Sequence, residues 1–174
     1  MASLPPTTAA AIGTPRLRLE PLAPAHAAPL AAALADAALY AVIGGEPPTI
    51  AATGERIERL LLGPADGRAA WCNWAVTERD GGTVVGTVQA TVDIEPPATA
   101  RVAWIVGTPW QRRGYASEAA TALTNWLWLA GVSRIEATVV NGHGPSEAVA
   151  RAAGLDLTDR VDNGERVWAA DRAP

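Results

Sequence analysis

The segment between Gly114 and Gly131 most constrains how this chain can fold. Its residues Ala116, Ala120, Leu123 and Leu127 recur on one face, the periodicity of a helix laid on a sheet. Strand-like segments supply the sheet. Arg16–Leu19 alternates polar and apolar residues. Trp71–Glu78 and Thr83–Asp93 flank an Asp80-Gly81-Gly82 turn, and Ala100–Val106 follows the break at Pro96-Pro97. Arg134–Val140 comes after the long helix, and two closing strands surround Asp162-Asn163-Gly164, a hairpin signal. Pro24 opens an alanine-rich helix to about Asp36, with Pro29 as its flaw, and Gly44-Gly45-Glu46-Pro47-Pro48 is loop. Thr53 is the expected cap of a second helix, carrying Ile57, Leu60 and Leu61 and ending at Gly63-Pro64. A short helix spans Ser146–Ala153 and stops at Gly154. There is no internal repeat and no linker. These elements predict one α+β domain over residues 14–170, behind a flexible lead over 1–13.

Composition narrows the chemistry. The chain has 174 residues and a formal charge of −4, which gives no global attraction to nucleic acid or an acidic membrane. All fourteen basic residues are arginine, so a Schiff-base lysine and the lysine of a P-loop are excluded. One cysteine, Cys72, and two histidines, His26 and His143, leave no zinc-like cluster, and no metal is expected. The first residues lack the charged and apolar regions of a signal peptide, and no apolar run approaches the roughly 20 residues that span a bilayer. A cytoplasmic protein is expected.

Thr108–Ala120, TPWQRRGYASEAA, follows a predicted strand and opens the long helix. The first turn of a helix carries unpaired N–H groups at the positive end of the helix dipole, a ready anion site. Gly114 lets a ligand approach the backbone, and Arg112 and Arg113 add charge and forked donors. The turn suits a phosphate or pyrophosphate; a solvated surface turn is the competing reading. Neither GxxxxGK[ST] nor GxGxxG is present.

The pattern Gln111-x-x-Gly114-x-Ala116, placed between a strand and a long helix, resembles the acetyl-CoA signature of GCN5-related N-acetyltransferases. Thr14-Pro15-Arg16-Leu17-Arg18-Leu19 resembles the opening of the RimJ/RimL-like branch, and SEAVARAAGL over 146–155 resembles the helix-plus-glycine segment after that family's fifth strand. The resemblance implies a single mixed, mostly antiparallel sheet of about six to seven strands, flanked by about four helices and splayed around the cofactor. It implies acetyl-CoA as co-substrate. The pyrophosphate would lie on Gln111, Arg112, Arg113, Gly114, Tyr115 and Ala116, and the pantetheine arm against Ile105 and Val106. It further implies an amine acceptor, either a small molecule or a protein N-terminus, attacking the thioester directly in a ternary complex.

Several positions depart from the family pattern. Where relatives carry Asn before the later helix, this chain has His143, which would replace that cofactor contact or assist proton transfer; a histidine packed in a loop is the alternative. The tyrosine that protonates the leaving thiolate in many relatives is Ala150 here. Ser146 is carried over as the thiolate partner, with helix N-capping as its rival role. The strand carboxylate of relatives is Arg101; Asp93 and Glu95 are the nearest substitutes, Glu95 being the candidate base, with a water relay as the alternative. In Glu118, a first-turn acid favoured by the helix dipole competes with catalysis. Tyr40, Glu46, Asn73, Gln89 and Trp104 are the acceptor-pocket candidates. Trp128 lies away from the alanine stripe, as a subunit contact in a homodimer or an isolated surface aromatic. A non-catalytic acyl-CoA binder and a transferase for another acyl-CoA are the competing functions.

Overall fold

The computed structural model describes residues 8–172. In chain order the elements are β1 (Ile12–Gly13), β2 (Leu17–Pro21), α1 (Ala27–Ala33), α2 (Ala37–Ile43), α3 (Ile50–Leu62), β3 (Ala69–Glu78), β4 (Val84–Asp93) and β5 (Thr99–Val106). They continue with α4 (Tyr115–Leu129), β6 (Arg134–Val139), α5 (Gly144–Ala152), β7 (Asp156–Asp162) and β8 (Glu165–Asp171). All eight strands belong to one sheet, in the lateral order β1-β2-β3-β4-β5-β6-β8-β7. Neighbours are antiparallel except β5 and β6, which run parallel.

That parallel pair shapes the molecule. β5 and β6 are joined only where Thr99–Arg101 faces Arg134–Glu136. Beyond this point β5 continues against β4 as far as Val106, and β6 continues against β8 as far as Val139. The sheet therefore opens between β5 and β6 at the end where both strands stop.

Helix α4 holds one face of the sheet. Ala119, Ala120, Leu123 and Leu127 are fully buried and pack into the cluster of Cys72, Trp74, Val88, Ala90 and Val102. Burying one such leucine contributes about 1.5–3 kcal/mol. Trp126 meets Trp74 edge to face, with ring centroids 5.2 Å apart, a preferred aromatic geometry. Two threonines fasten α5 to α4: the Thr121 hydroxyl donates to the Ala152 carbonyl and that of Thr124 to Ala153. These carbonyls end a helix and have no acceptor role within it, so the threonines satisfy groups that would otherwise be orphaned.

The structure revises several expectations. Pro29 is no flaw, because α1 begins at Ala27 and Pro29 is its third residue, where the missing N–H has no intrahelical partner. A separate helix, α2, follows it, capped by the Asp36 carboxylate accepting from the Ala38 N–H. Thr49, not Thr53, caps α3 by accepting from Ala52; Thr53 is buried within the helix and donates to the Thr49 carbonyl. Strands and helices thus number eight and five among the described residues. Of the expected lead, residues 1–7 lie outside the described residues, and Ile12–Gly13 is ordered as β1 against Leu19 and Arg18. The Trp74 indole N–H reinforces this segment by donating to the Ala10 carbonyl. Trp128 is half-buried against the core, and the apolar residue standing out from α4 is Leu129, 85% exposed. Among the described residues, no single helix is long and apolar enough to cross a membrane.

Candidate active site

Because β5 and β6 are parallel, the turn after β5 and the loop after β6 leave the sheet at the same end. The first turns of α4 and α5 therefore both stand at the mouth of the opening, outside the carboxyl ends of parallel strands, where open sheets bind ligands. The Gln111 amide donates to the Val106 carbonyl at 3.0 Å and folds the turn back onto β5. Arg112 (φ 59°) and Gly114 (φ 79°) are both left-handed, a conformation side chains other than glycine visit rarely. Among the described residues, the six consecutive N–H groups from Arg112 to Ser117 have no protein acceptor; the first to be paired is Glu118, on the Gly114 carbonyl. A run of unpaired donors at the positive end of a fifteen-residue helix is an anion cradle. The arrangement fits a pyrophosphate, and the exposed Arg112 and Arg113 stand beside it.

Two members of the turn also make contacts within the protein. A Cβ at Gly114 would meet only the Arg16 guanidinium among protein groups, 3.3 Å away, and its left-handed φ itself favours glycine. The Tyr115 hydroxyl donates to Glu78 at 2.8 Å and its ring lies under the Arg16 guanidinium at 4.9 Å. The bond to Glu78, with burial, raises this hydroxyl above its ordinary pKa. The Tyr115 side chain thus braces the turn against β3.

Glu118 is the centre of that bracing. One carboxylate oxygen accepts from the Thr14 hydroxyl at 2.6 Å and from the Arg16 backbone N–H at 2.9 Å; the other accepts from the Arg16 guanidinium at 2.6 Å. Its carboxylate is committed to structure rather than to proton transfer. Burial pushes the Glu118 carboxyl up, but these hydrogen bonds together outweigh it and hold the group below the ordinary 4.5. A group depressed in the folded state contributes stability that is complete above its unfolded value and is lost as pH falls through its folded one. Melting temperature should therefore fall as the pH drops below 4.5, and Glu118→Gln should reduce the size of that fall. An identical acid profile in the variant would remove Glu118 from this role.

At the other side of the opening, His143 is the N-cap residue of α5 and Ser146 its third helical residue. Ser146 is therefore not the cap. Its hydroxyl lies 2.9 Å from His143 Nδ1, both side chains being partly buried. With the proton on Nδ1, the imidazole donates to Ser146 Oγ and leaves the serine O–H free to donate onward. Ala150 is fully buried against the core.

The remaining candidates divide. Asn73 and Gln89 are direct partners across β3 and β4, and Gln89 is opposite Ala103 on β5, so all three share a face. Trp104 is opposite Val88 and falls on the other face, beside the core. The Tyr40 hydroxyl is used by the Leu34 carbonyl, and Glu46 is exposed in the α2–α3 loop. Glu95 is not brought to the opening. It follows β4 at the end where β5 begins, and the five residue steps from Ala100 to Ile105 span about 17 Å of strand. Asp93 is tied to Arg101 at 3.1 Å. A cleft of about 490 Å³ runs beside Asn73 and Trp71 under the end of α3, but its walls include none of residues 105–116 or 143–146.

The link from Thr14 and Arg16 to Glu118 spans more than a hundred residues and has no local signature. Its partners could be read only as a strand opening and a first-turn acid.

Comparison with known proteins agrees with this geometry. Residues 16–156 match the acetyltransferase (GNAT) domain. No curated protein matches the chain. Solved structures with similar folds include a GCN5-related N-acetyltransferase from Brucella melitensis, at 21% identity and TM-score 0.74, covering 97% of this chain and 82% of that one. The ribosomal L7/L12 α-N-protein acetyltransferase RimL, solved with coenzyme A, matches at 18% identity and TM-score 0.73 over 93% of this chain and 98% of its own. The microcin C7 self-immunity acetyltransferase MccE, solved with acetyl-CoA and AMP, matches at 16% identity and TM-score 0.75 over 91% and 94%.

Proposed function

Since the chain belongs to the acetyltransferase (GNAT) domain family, we propose that it transfers an acetyl group from acetyl-CoA to a primary amine, by direct attack in a ternary complex. One observation carries this reading: a sheet opened between two parallel strands, with six N–H groups at its mouth that have no acceptor among the described residues. Acetyl-CoA supplies the acyl group as a thioester, and coenzyme A departs as the thiolate when the amide bond forms.

Each residue has a role that its position supports. The backbone from Gln111 to Ala116 holds the pyrophosphate, with Arg112 and Arg113 adding charge. Past Arg101 the β6 side of β5 pairs with no strand among the described residues. Since the Gly107 N–H is given to Val85 on β4, strand alternation turns the Val106 N–H to that open side, where it can pair with the pantetheine arm or meet the developing oxyanion. Ser146, oriented by His143 Nδ1–H, donates its proton toward the departing sulfur. The acceptor enters over the face carrying Asn73 and Gln89, and these two amides orient it. With Glu118 committed to structure and Glu95 distant, a water relays the amine proton. Small amines and protein N-termini, the acceptor class of RimL, both suit this reading.

A panel of primary amines and N-terminal peptides, incubated with acetyl-CoA, tests it. Thiol release should rise with at least one acceptor and match an acetylated product by mass. Cys72 is fully buried, and burial pushes its thiol up to about 11, so the protein contributes no competing thiol signal. Folded protein that releases no thiol above background with any acceptor would contradict amine acetylation.

A further inference from the structure

We propose that Arg16 is a positioning residue that aims the N–H groups of the cofactor turn; this rests on the reading of that turn as a pyrophosphate site. Arg16 Nη1 donates to the Arg113 carbonyl at 2.8 Å. In a trans peptide the carbonyl and the following N–H point in opposite directions. Holding the Arg113 carbonyl toward Arg16 therefore turns the Gly114 N–H away from Arg16. The next peptide is set by the helix itself, because the Gly114 carbonyl accepts from Glu118. Every bond that this network makes to the turn uses a carbonyl or a side chain, and its N–H groups are left for a ligand.

The anchor behind Arg16 is rigid. Arg16 Nε is held by Glu118 at 2.6 Å, and its guanidinium lies over the Tyr115 ring at 4.9 Å. The Arg16 carbonyl accepts from the Arg79 N–H at 2.9 Å, and the Arg79 guanidinium donates to the Thr14 carbonyl at 2.8 Å. The grip requires a guanidinium. Nε and Nη1 act at once on two acceptors while the plane stacks on an aromatic ring, and a lysine ammonium offers neither the fork nor the plane. A side chain at Gly114 would strain the left-handed φ and crowd the guanidinium, with a Cβ 3.3 Å from Arg16 Nη2.

The test measures calorimetric affinity for coenzyme A and for pantetheine, which lacks phosphate, alongside melting curves, in wild type, Arg16→Ala and Arg16→Lys. Both variants should lose about tenfold in affinity for coenzyme A, the weight of one hydrogen bond to a charged group, and keep wild-type affinity for pantetheine. Lysine restores the charge without the fork, so failure of Arg16→Lys to rescue separates aiming from simple electrostatics. Retained coenzyme A affinity in a folded Arg16→Lys variant, or equal losses for both ligands, would overturn the proposal. If Arg16→Ala fails to fold, Arg16→Lys decides alone. Wild-type protein that does not bind coenzyme A would instead sink the reading on which this one rests.

Discussion

Ser146→Ala is expected to lower acetyl transfer by about 10²–10⁴, the usual cost of losing a positioned proton donor, with acetyl-CoA affinity close to wild type. An interaction made mainly in the transition state appears in kcat, whereas one made equally in the ground state appears in KM. The alternative of a lost helix cap does not apply, since His143 holds the N-cap position and Ser146 sits in the first turn. The fold loses only the hydrogen bond to His143, about 0.5–1.5 kcal/mol. His143→Ala should show a smaller loss of kcat, because it releases the serine hydroxyl without removing it. Steady-state kinetics on an identified acceptor, with melting curves of both variants, check this. Normal kcat in folded Ser146→Ala would leave the chemistry to backbone and water alone.

Gly107→Ala is expected to destabilise the fold by about 3 kcal/mol, the upper range for overpacking a filled site. Gly107 is buried at the exit of β5, and its backbone (φ −57°, ψ 145°) is one any residue adopts, so the obstacle is purely steric. A Cβ there would come within 2.1 Å of the Ala33 carbonyl and 3.0 Å of the Trp110 ring. The carbonyl belongs to the last residue of α1, itself packed on the sheet, and cannot withdraw without moving the helix. Because Gly107 joins β5 to the cofactor turn, the variant should also bind acetyl-CoA more weakly. Denaturant unfolding and calorimetry measure the two effects; a near-neutral change in stability would contradict the packing described around this residue.

Much of the fold was legible because it is written locally. Alternation located most of the strands and the 114–131 periodicity located α4, while glycines and prolines marked their ends. What escaped detection depends on tertiary contacts. β1 is two residues long, too short for alternation to register, and it is ordered by pairing with β2. Helix α2, between the expected first helix and the Gly44–Pro48 loop, went unassigned because its apolar Val42 and Ile43 are exposed and give no buried stripe. The cofactor turn was readable as a motif, and its run of free N–H groups follows from a strand leading into a helix. His143 and Ser146 were named from the family resemblance, and their 2.9 Å contact arises because α5 begins between them. Glu95 was misplaced because nearness in sequence to a central strand says nothing about which end of the sheet it reaches. The Arg16–Glu118 link was invisible for the opposite reason, as it joins residues far apart in the chain.

The central claim is that acetyl-CoA occupies the opening between β5 and β6 and rests on the turn before α4. Hydrogen–deuterium exchange of the protein with and without acetyl-CoA tests this most directly, because the amides from Arg112 to Ser117 have no protein acceptor among the described residues and start unprotected. Binding should slow exchange at Val106 and at Arg112–Ser117, with a smaller effect around His143–Ser146, and leave the cleft beside Trp71 and the end of α3 unchanged. Protection confined to that cleft, or exchange at Arg112–Ser117 unaltered under saturating acetyl-CoA, would contradict the account.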